Sequence, residues 1–507
     1  MKSYRRIRLA RGAGKSPLIA ETVFLFQKTT RLQSAYAPLN RATGGAVAAA
    51  MRRAEFSAET GVISTVHSLK SSSCVFMVGL GAESCFDANT LRTATAKLTH
   101  AAFAARVRSL RLNPMPAVGR TMTADDTAIA IADGLAIAGF CFNRFKSTTR
   151  PAIGDEVPID LQIYTAPDLR RMMGRGLKIG EALTTARTLS ATPPNVAHPR
   201  YIAAESRRLA KQVGLRCTII SQSSMKRLGM EGIRSVGRAG STPPSLICLD
   251  WPGHPPNRND PILLVGKAVT FDTGGYSLKT GGSMSGMKYD KCGGMAVIGA
   301  MEAIARLKVR PRVIGLIPCA ENMIDTTAYR VDDILTLCNG VTVEITNTDA
   351  EGRLLLADAL AYGTKRYQPQ AVIDLATLTG GVVVALGSFC AGMFCNNPTL
   401  RRRLETAATA TGERLWPLPL WQDHRQLMVG THSDLVNSAA VREAQPIQGA
   451  AFLSHFVGET APIAMPTLPW AHLDIAGVAS RSTDSPLYPK GPTGFGVRLL
   501  AHLIANW

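Results

Sequence analysis

The sequence predicts an α/β protein of two domains, a smaller N-terminal α/β domain and a larger C-terminal domain with a mixed, largely parallel sheet flanked by helices. Two observations support this class. A chain of 507 residues exceeds what a single ordinary core holds. In its second half, short apolar runs alternate with helical patterns, as in strands that right-handed helical crossovers connect.

The first half shows a similar alternation. The apolar run 74–80 predicts a strand, 87–106 predicts a helix, and 157–164 predicts an alternating strand. A long helix begins at residue 167 and ends before Pro193 and Pro194, which cannot continue it. The predicted organisation is a basic targeting segment (1–18), an N-terminal domain (19–166), a connecting helix and junction (167–195) and a C-terminal domain (196–507).

The second half contains the clearest predicted elements. Ligands of such sheets bind at the carboxyl ends of strands, so polar residues that follow the strands are the first candidates for a site. The predicted strands are 261–271, 313–319, 341–346 and 371–378, and the predicted helices are 293–307 and 352–364.

Composition excludes some classes of protein. No apolar run reaches the roughly 18 residues of a membrane span, which argues against an integral membrane protein. Ten cysteines without a C-x-x-C pair indicate buried thiols in a reducing compartment, and neither a disulfide framework nor a zinc ribbon.

The net charge of +20 is unevenly distributed. Residues 1–53 carry eleven Lys or Arg and one acid, and the first 18 residues carry six bases and no acid. This composition is typical of a mitochondrial presequence. The alternative is a solvated basic arm on a cytoplasmic protein.

Charged residues gather where the predicted strands end. Two lysines and an aspartate leave the strand 261–271 through a Gly-rich stretch, and another aspartate precedes the helix 293–307. Two acids that lie two residues apart follow the strand 341–346 and would project to the same side of an extended chain. These residues are Lys267, Asp272, Lys279, Asp290, Asp349 and Glu351.

Four converging carboxylates would repel one another unless cations neutralise them. Their hard oxygens suit Zn²⁺, Mn²⁺, Mg²⁺ or Co²⁺, and a pair of such ions can activate water and clamp a carbonyl. Lys279 and Arg353 would supply positive charge to a developing oxyanion or orient a base. A single Asp at a strand end is more often a helix cap or a turn residue, but the grouping with lysines in an apolar context favours a site.

The same strings resemble the leucyl aminopeptidase (cytosol aminopeptidase) family. The resemblance covers roughly residues 170–500, and the first half is only compatible with the more variable N-terminal domain of the family. The most specific stretch is Asn347-Thr348-Asp349-Ala350-Glu351-Gly352-Arg353-Leu354; the others include 265–275, 277–279, 287–290, 374–380, 469–477 and 493–498.

The resemblance implies a dinuclear metallo-aminopeptidase. It would release N-terminal, leucine-like residues from short peptides, with a metal-bridged hydroxide attacking the carbonyl. The tighter ion would be held by Lys267, Asp272, Asp290 and Glu351, and the more exchangeable one by Asp272, Asp349 and Glu351. Lys267 would ligate as a neutral amine, which requires that adjacent dications lower its pKa.

The resemblance also implies roles for residues that are not ligands. The scissile carbonyl would lie between a metal and Lys279, and Arg353 would anchor a bicarbonate that acts as general base. Met287, Thr377 and Gly380 would line the pocket for the first side chain. The family assembles as a homohexamer, which is expected here. Lys291 is a departure, because relatives commonly carry Met there; since adjacent residues point apart, it is expected to face away from the metals.

Two alternatives stay open to different degrees. The chain could be a nucleic-acid-associated protein with a basic surface, with or without peptidase activity, although the nine bases of 200–238 are better explained as a solvated helix face. A binuclear phosphohydrolase is disfavoured, because the candidate ligands lack histidine and include a lysine.

Overall fold

A computed structural model describes residues 6–11, 19–53, 56–67, 74–115, 122–147, 160–257, 259–458 and 465–507. Its contacts divide the chain into two compact units. The first comprises Met1–Thr184, Ala410–Gly412 and Thr483–Lys490; the second comprises Thr185–Thr409, Glu413–Ser482 and Gly491–Trp507.

The first unit is built on a six-stranded sheet in the order β1-β6-β5-β2-β4-β3. Its edge strand β3 runs antiparallel to β4, and the other neighbouring strands are parallel. The strands are β1 (Ile7–Leu9), β2 (Ala20–Leu25), β3 (Ile63–His67), β4 (Cys74–Gly79), β5 (Ser109–Arg111) and β6 (Leu161–Tyr164). The helices are α1 (Ala37–Ala42), α2 (Ala46–Met51), α3 (Ala88–Ala104) and α4 (Ala124–Gly139).

Both faces of this sheet are covered. Phe76 and Val78 of β4 belong to one buried cluster, and Val75 and Met77 belong to another. Successive side chains of a strand point to opposite faces, so a strand covered on both sides is apolar throughout rather than alternating. The long helix α5 (Pro167–Ala191) follows, and the boundary between the two units falls within it.

The second unit contains a nine-stranded mixed sheet in the order β16-β15-β18-β14-β9-β11-β8-β7, with β10 paired to β11. Its central pairs β18/β14, β14/β9 and β9/β11 are parallel. The strands are β7 (Arg216–Ser221), β8 (Ser245–Trp251), β9 (Ile262–Gly266), β10 (Ala268–Asp272), β11 (Val313–Asn322), β14 (Ala371–Ala376), β15 (Ala391–Cys395), β16 (Leu415–Pro417) and β18 (Trp470–Asp474).

Smaller sheets and helices complete this part of the chain. Two small sheets are formed by β12 (Ile334–Thr336), β13 (Thr342–Glu344) and β17 (Leu435–Val436), and by β19 (Ser480–Arg481) and β20 (Gly491–Pro492). The helices are α6 (Pro199–Val213), α7 (Gln222–Arg227), α8 (Glu231–Gly237), α9 (Cys292–Leu307), α10 (Gly352–Tyr367), α11 (Gly380–Leu386), α12 (Pro398–Thr411), α13 (Gln422–Gln426), α14 (Gln445–Leu453) and α15 (Val497–Ala505).

The predicted fold class is confirmed, and one predicted strand is wrong in detail. The run 261–271 forms two strands, β9 and β10, that meet at Lys267. The amide of Lys267 donates to Leu375 O at 3.0 Å, but its carbonyl accepts from Gly294 N at 2.6 Å, in the first turn of α9. The carbonyl of Lys267 therefore accepts from an amide at the N-terminus of α9 instead of from a neighbouring strand, and the strand is interrupted there.

Two further predictions concern membranes and the basic segments. None of the helices in the described part of the chain has the length and apolar character of a membrane span. Most of the predicted targeting segment, residues 1–5 and 12–18, lies outside the described residues. Among the nine bases of 200–238, which the sequence predicts to form a solvated helix face, Arg207 and Lys211 lie on α6 and are exposed.

Candidate metal centre

Lys267 is the centre of a buried cluster of charges. Its side chain is 3% exposed, and its Nζ lies 2.8 Å from both Asp290 Oδ1 and Glu351 Oε1. The same Nζ donates to Thr377 O at 3.0 Å. The lysine thus joins the interrupted strand to the start of α9, the start of α10 and the end of β14.

A second lysine pairs with the other two carboxylates. Lys279 Nζ lies 2.8 Å from Asp272 Oδ2 and also contacts Asp349 Oδ1. The other oxygen of Asp272, Oδ1, accepts from Gly274 N at 2.9 Å. Lys279 and Asp349 are partly exposed, at 15% and 34%, so this side of the cluster reaches solvent.

Close packing around the lysines requires glycine at two positions. A Cβ on Gly352 would lie 2.3 Å from Lys267 Cε, so only glycine lets this side chain reach the carboxylates. Gly274 has φ +87°, and a Cβ there would lie 2.4 Å from Ser277 O.

The donor set fits divalent cations. One carboxylate oxygen from each of Asp272, Asp290 and Glu351 lies within 4.8 Å of the others. Asp290 Oδ2 and Glu351 Oε2 are buried and accept no hydrogen bond from the described residues. Buried carboxylate oxygens without donors are costly unless a cation or a proton satisfies them.

The electrostatics of the cluster lead to the same conclusion. Burial raises the pKa of Asp290 to about 6, although the nearby ammonium of Lys267 lowers it. Burial, together with the negative charge of Asp272, raises the pKa of Glu351 to about 8. Burial alone would lower the pKa of Lys267, but Asp290, Glu351 and Asp272 raise it above its ordinary value. Without metal, protons and two ammonium groups therefore compensate the negative charge.

Arg353 forms a separate buried cation. It is 5% exposed, and its Nη1 donates to Asn437 O at 2.6 Å. Its Nε has no hydrogen-bond partner, and burial lowers the pKa of its guanidinium to about 10. Among the described residues no carboxylate lies within ion-pair distance of it, so the group fits a small anion.

The three residues predicted to line a substrate pocket have different surroundings. Thr377 is at the cluster, because its hydroxyl donates to Asp290 Oδ1 at 2.8 Å. Met287 lies in the 3-10 helix Met287–Tyr289, directly before Asp290. Gly380 begins α11, where a Cβ would meet only Gln445 Oε1 at 3.9 Å. A pocket lined by all three stays a prediction.

Lys291 points away from the carboxylates, as expected. It is fully buried, and its Nζ donates to Thr192 O at 3.2 Å and to Lys288 O. Burial lowers the pKa of this amine to about 8. The lysine therefore links the turn before α9 to the junction after α5 instead of facing the candidate ligands.

The segment with Asp349 and Glu351 differs from its prediction. It is a turn rather than extended chain, since Ala350 N donates to Asn347 O at 3.2 Å and Glu351 has helical backbone angles at the start of α10. The expectation that the two carboxylates project to one side of an extended chain is therefore wrong, because the segment is not extended. Asp349 reaches Lys279, whereas Glu351 reaches Lys267.

Sequence patterns missed several residues that contact the cluster or hold the chain next to it. Asn322 Nδ2 donates to Asp272 Oδ1 at 2.8 Å, and Tyr329 Oη donates to Thr348 O at 2.7 Å. Asp474 accepts from Leu378 N and from Thr379 Oγ1, and so holds the chain just after Thr377. A polar residue at the end of the apolar strand β11 was the available signal for Asn322.

Comparison with known proteins identifies the family. The model of the cytosol aminopeptidase family, catalytic domain, matches residues 184–501, and that of the N-terminal domain of the same family matches residues 22–149. The chain belongs to the cytosol aminopeptidase family. It is therefore a metallo-aminopeptidase, a metal-dependent hydrolase that releases amino-terminal residues from peptides.

Relatives within this family match nearly the whole chain. A probable cytosol aminopeptidase of Dechloromonas aromatica is 38% identical over 479 residues, 92% of each chain. One of Geobacter sulfurreducens is 38% identical over 480 residues, 93% of each chain. The solved structure of the bottromycin maturation enzyme BotP in complex with Mn is similar at a TM-score of 0.84 and 32% identity, covering 97% of this chain and 99% of that one.

Proposed function

We propose that this aminopeptidase uses two metal ions to release leucine-like N-terminal residues from short peptides. The observation that carries the proposal is the buried Lys267, whose amine contacts two carboxylates that each keep one oxygen without a donor. A metal ion can neutralise these carboxylates in place of the lysine ammonium. The lysine can then lose its proton and bind the metal through its neutral amine.

The ligand sets follow from these contacts and from the family. Lys267, Asp272, Asp290 and Glu351 would hold one ion, and Asp349 would join Asp272 and Glu351 for the other. The ions would be Zn²⁺ or Mn²⁺, with Co²⁺ or Mg²⁺ as alternatives. When bound, such ions supply Lewis acidity and a water of lowered pKa.

Lys279 would act on the substrate carbonyl. In the metal-free arrangement its ammonium pairs with Asp272 and Asp349, which raise its pKa above the ordinary value against the effect of burial. When cations neutralise these carboxylates, the ammonium can donate to the carbonyl oxygen as negative charge develops there. Its partial exposure keeps it within reach of a bound peptide.

Arg353 would hold bicarbonate, which would supply a general base. The buried guanidinium with an unused Nε supports this assignment. We expect removal of bicarbonate to lower the activity of the wild-type protein, and Arg353→Met to lower kcat about 100-fold and abolish the response to bicarbonate. Full activity of both proteins in bicarbonate-free buffer would contradict the assignment.

Side-chain preference would come from a pocket that includes Met287, Thr377 and Gly380. The Thr377 hydroxyl donates to Asp290 Oδ1, so its methyl group is the part of the side chain that would contact an apolar substrate residue. At Gly380, a Cβ would meet only Gln445 Oε1, at 3.9 Å, which leaves space at that position. Rates for leucyl, alanyl, lysyl and glutamyl amides would rank the preference, and equal rates for leucyl and glutamyl substrates would refute an apolar pocket.

The central experiment measures aminoacyl-amide hydrolysis after chelation and after addition of Mn²⁺, Zn²⁺, Co²⁺ or Mg²⁺ in turn. We expect the activity to disappear with the chelator and to return with metal, at a stoichiometry of two ions per chain. Binding of a single ion with full activity would refute the dinuclear site. A folded protein that is inactive with every metal would refute the function.

The pKa shifts predict that metal stabilises this protein more at high pH. Asp290 and Glu351 have raised pKa values in the metal-free fold, so their contribution to its stability is greatest at low pH and is lost as the pH rises through about 6 and about 8. Metal binds the deprotonated groups. The difference in Tm between metal-loaded and chelated protein should therefore grow as the pH rises through about 6 and about 8, and these two groups should add nothing further above about pH 8.

This comparison has an internal control. Burial raises the pKa of Asp358, a carboxylate that accepts from Ile233 N in α8, to about 7, but Asp358 is not a candidate ligand and is expected to titrate alike with and without metal. Its titration therefore cancels in the difference. A difference in Tm that shrinks with rising pH would contradict the proposed ligand set.

Assembly, location and nucleic-acid binding stay proposals. A homohexamer is expected, and light scattering would test it. Mitochondrial import by the basic N-terminus, against a cytoplasmic location, can be tested by fusing residues 1–18 to a reporter. Binding to DNA would show a steep salt dependence, and Arg207→Glu with Lys211→Glu would weaken it if the exposed bases of α6 take part.

A further inference from the structure

We propose that Asn322 is a positioning residue that holds Asp272 and the Asp349 loop in the geometry required for metal. This inference rests on the proposed two-metal function. Asn322 is the last residue of β11 and is fully buried. It is the register partner of Asp272 on the parallel strand β10, so the two side chains lie side by side.

The Asn322 amide donates to both ligand-bearing segments. Its Nδ2 lies 2.8 Å from Asp272 Oδ1 and 3.0 Å from Thr348 O, the carbonyl directly before Asp349. Both acceptors are oxygens, so the orientation of the amide is determined: a flipped group would put its own oxygen against them. The Oδ1 of Asn322 is buried without a hydrogen bond, which shows that only the donor end is used.

These contacts determine which oxygen of Asp272 is available. Oδ1 accepts from Asn322 and from Gly274 N, whereas Oδ2 faces Lys279. The two donors orient the carboxylate so that Oδ2 points at the cluster. Groups that orient a ligand in this way typically contribute about 10- to 100-fold in metal affinity.

The backbone around Asn322 does not depend on its side chain. Thr273 N and Thr273 Oγ1 both donate to Asn322 O, at 3.0 and 2.8 Å. Thr348 is also held by Ser277 and Tyr329. A substitution at 322 is therefore expected to leave the strand end in place while it releases the Asp272 carboxylate.

The test uses Asn322→Leu, which removes both donors at similar volume and without charge, and Asn322→Asp, which adds charge while it removes the donors. Titration of the metal-free proteins with Mn²⁺, followed by calorimetry, measures affinity directly. We expect both variants to bind about 10- to 100-fold more weakly, with kcat reduced and KM unchanged at saturating metal. Thr270→Val, a buried change on β10 at a residue whose hydroxyl donates to Ala320 O and to none of the candidate ligands among the described residues, is the control and should bind as the wild-type protein does.

The outcomes separate this proposal from the proposed function. If Asn322→Asp binds Mn²⁺ more tightly than the wild-type protein, total charge and not donation controls affinity, and the inference is overturned. Unchanged affinity in both variants also overturns it. Loss of affinity in the Thr270→Val control would make the effect one of general packing and would overturn it as well. A wild-type protein that binds metal but hydrolyses no peptide would refute the function and leave the affinity comparison valid.

Discussion

Replacing Glu351 with glutamine is expected to lower kcat on the order of 1,000-fold or more. Glu351 is 1% exposed, contacts Lys267 through Oε1 and leaves Oε2 without a donor. Both proposed ions share this carboxylate. Glutamine has nearly the same shape but no charge, and its NH₂ group would face a cation. The metal content measured after gel filtration should therefore fall below two ions per chain.

A matched control separates this effect from loss of a surface charge. Glu405 forms an exposed ion pair with Arg401 at 2.8 Å, where both side chains are more than a third exposed. Glu405→Gln removes the same charge and should retain wild-type turnover and metal content. If Glu351→Gln kept two ions and wild-type turnover, the ligand role of Glu351 would be excluded.

The second large effect concerns stability rather than turnover. Lys267→Met keeps the length of the side chain but leaves Asp290 and Glu351 buried without their cation. Removing one partner of a buried ion pair typically lowers the free energy of unfolding by about 3–5 kcal/mol. We expect a loss of this size in the chelated protein near neutral pH, together with loss of the tighter metal. Denaturant unfolding measures the first effect and calorimetry the second.

The loss of unfolding free energy caused by Lys267→Met should depend on pH and on the presence of Glu351. At low pH, Asp290 and Glu351 can take up protons, so the cost of removing Lys267 should decrease. In the double variant Lys267→Met, Glu351→Gln one unpaired carboxylate is gone, so the two losses should not add. Additive losses of unfolding free energy would show that Lys267 and Glu351 do not interact. A loss from Lys267→Met that increases towards low pH would contradict the raised pKa values of Asp290 and Glu351.

Much of the candidate site could be predicted from the sequence. Lys267, Asp272 and Asp290 stand out in the sequence because charged residues at the ends of apolar strands and the starts of helices are unusual and face the ligand-binding edge of an α/β sheet. The structure brings them together. The two-domain α/β class followed in the same way, from the alternation of apolar strands and helices.

Other features depended on distant contacts. Asn322 lies 50 residues from Asp272 in the sequence, and its one local signal, a polar residue at the end of an apolar strand, does not indicate which carboxylate it contacts. The break between β9 and β10 depends on α9, whose Gly294 takes the carbonyl of Lys267 out of the sheet. Neither contact can be predicted from a local pattern, because each is a hydrogen bond between segments that only the folded chain brings together.

The sequence by itself determined the fold class and the chemical nature of the candidate ligands, since hydrophobic periodicity and side-chain chemistry are local properties. Only the tertiary structure decided which lysine pairs with which carboxylate: Lys267 with Asp290 and Glu351, and Lys279 with Asp272 and Asp349. Those pairings follow from the register of the strands and from the turn before α10. Both are set by hydrogen bonds and packing between residues far apart in the chain.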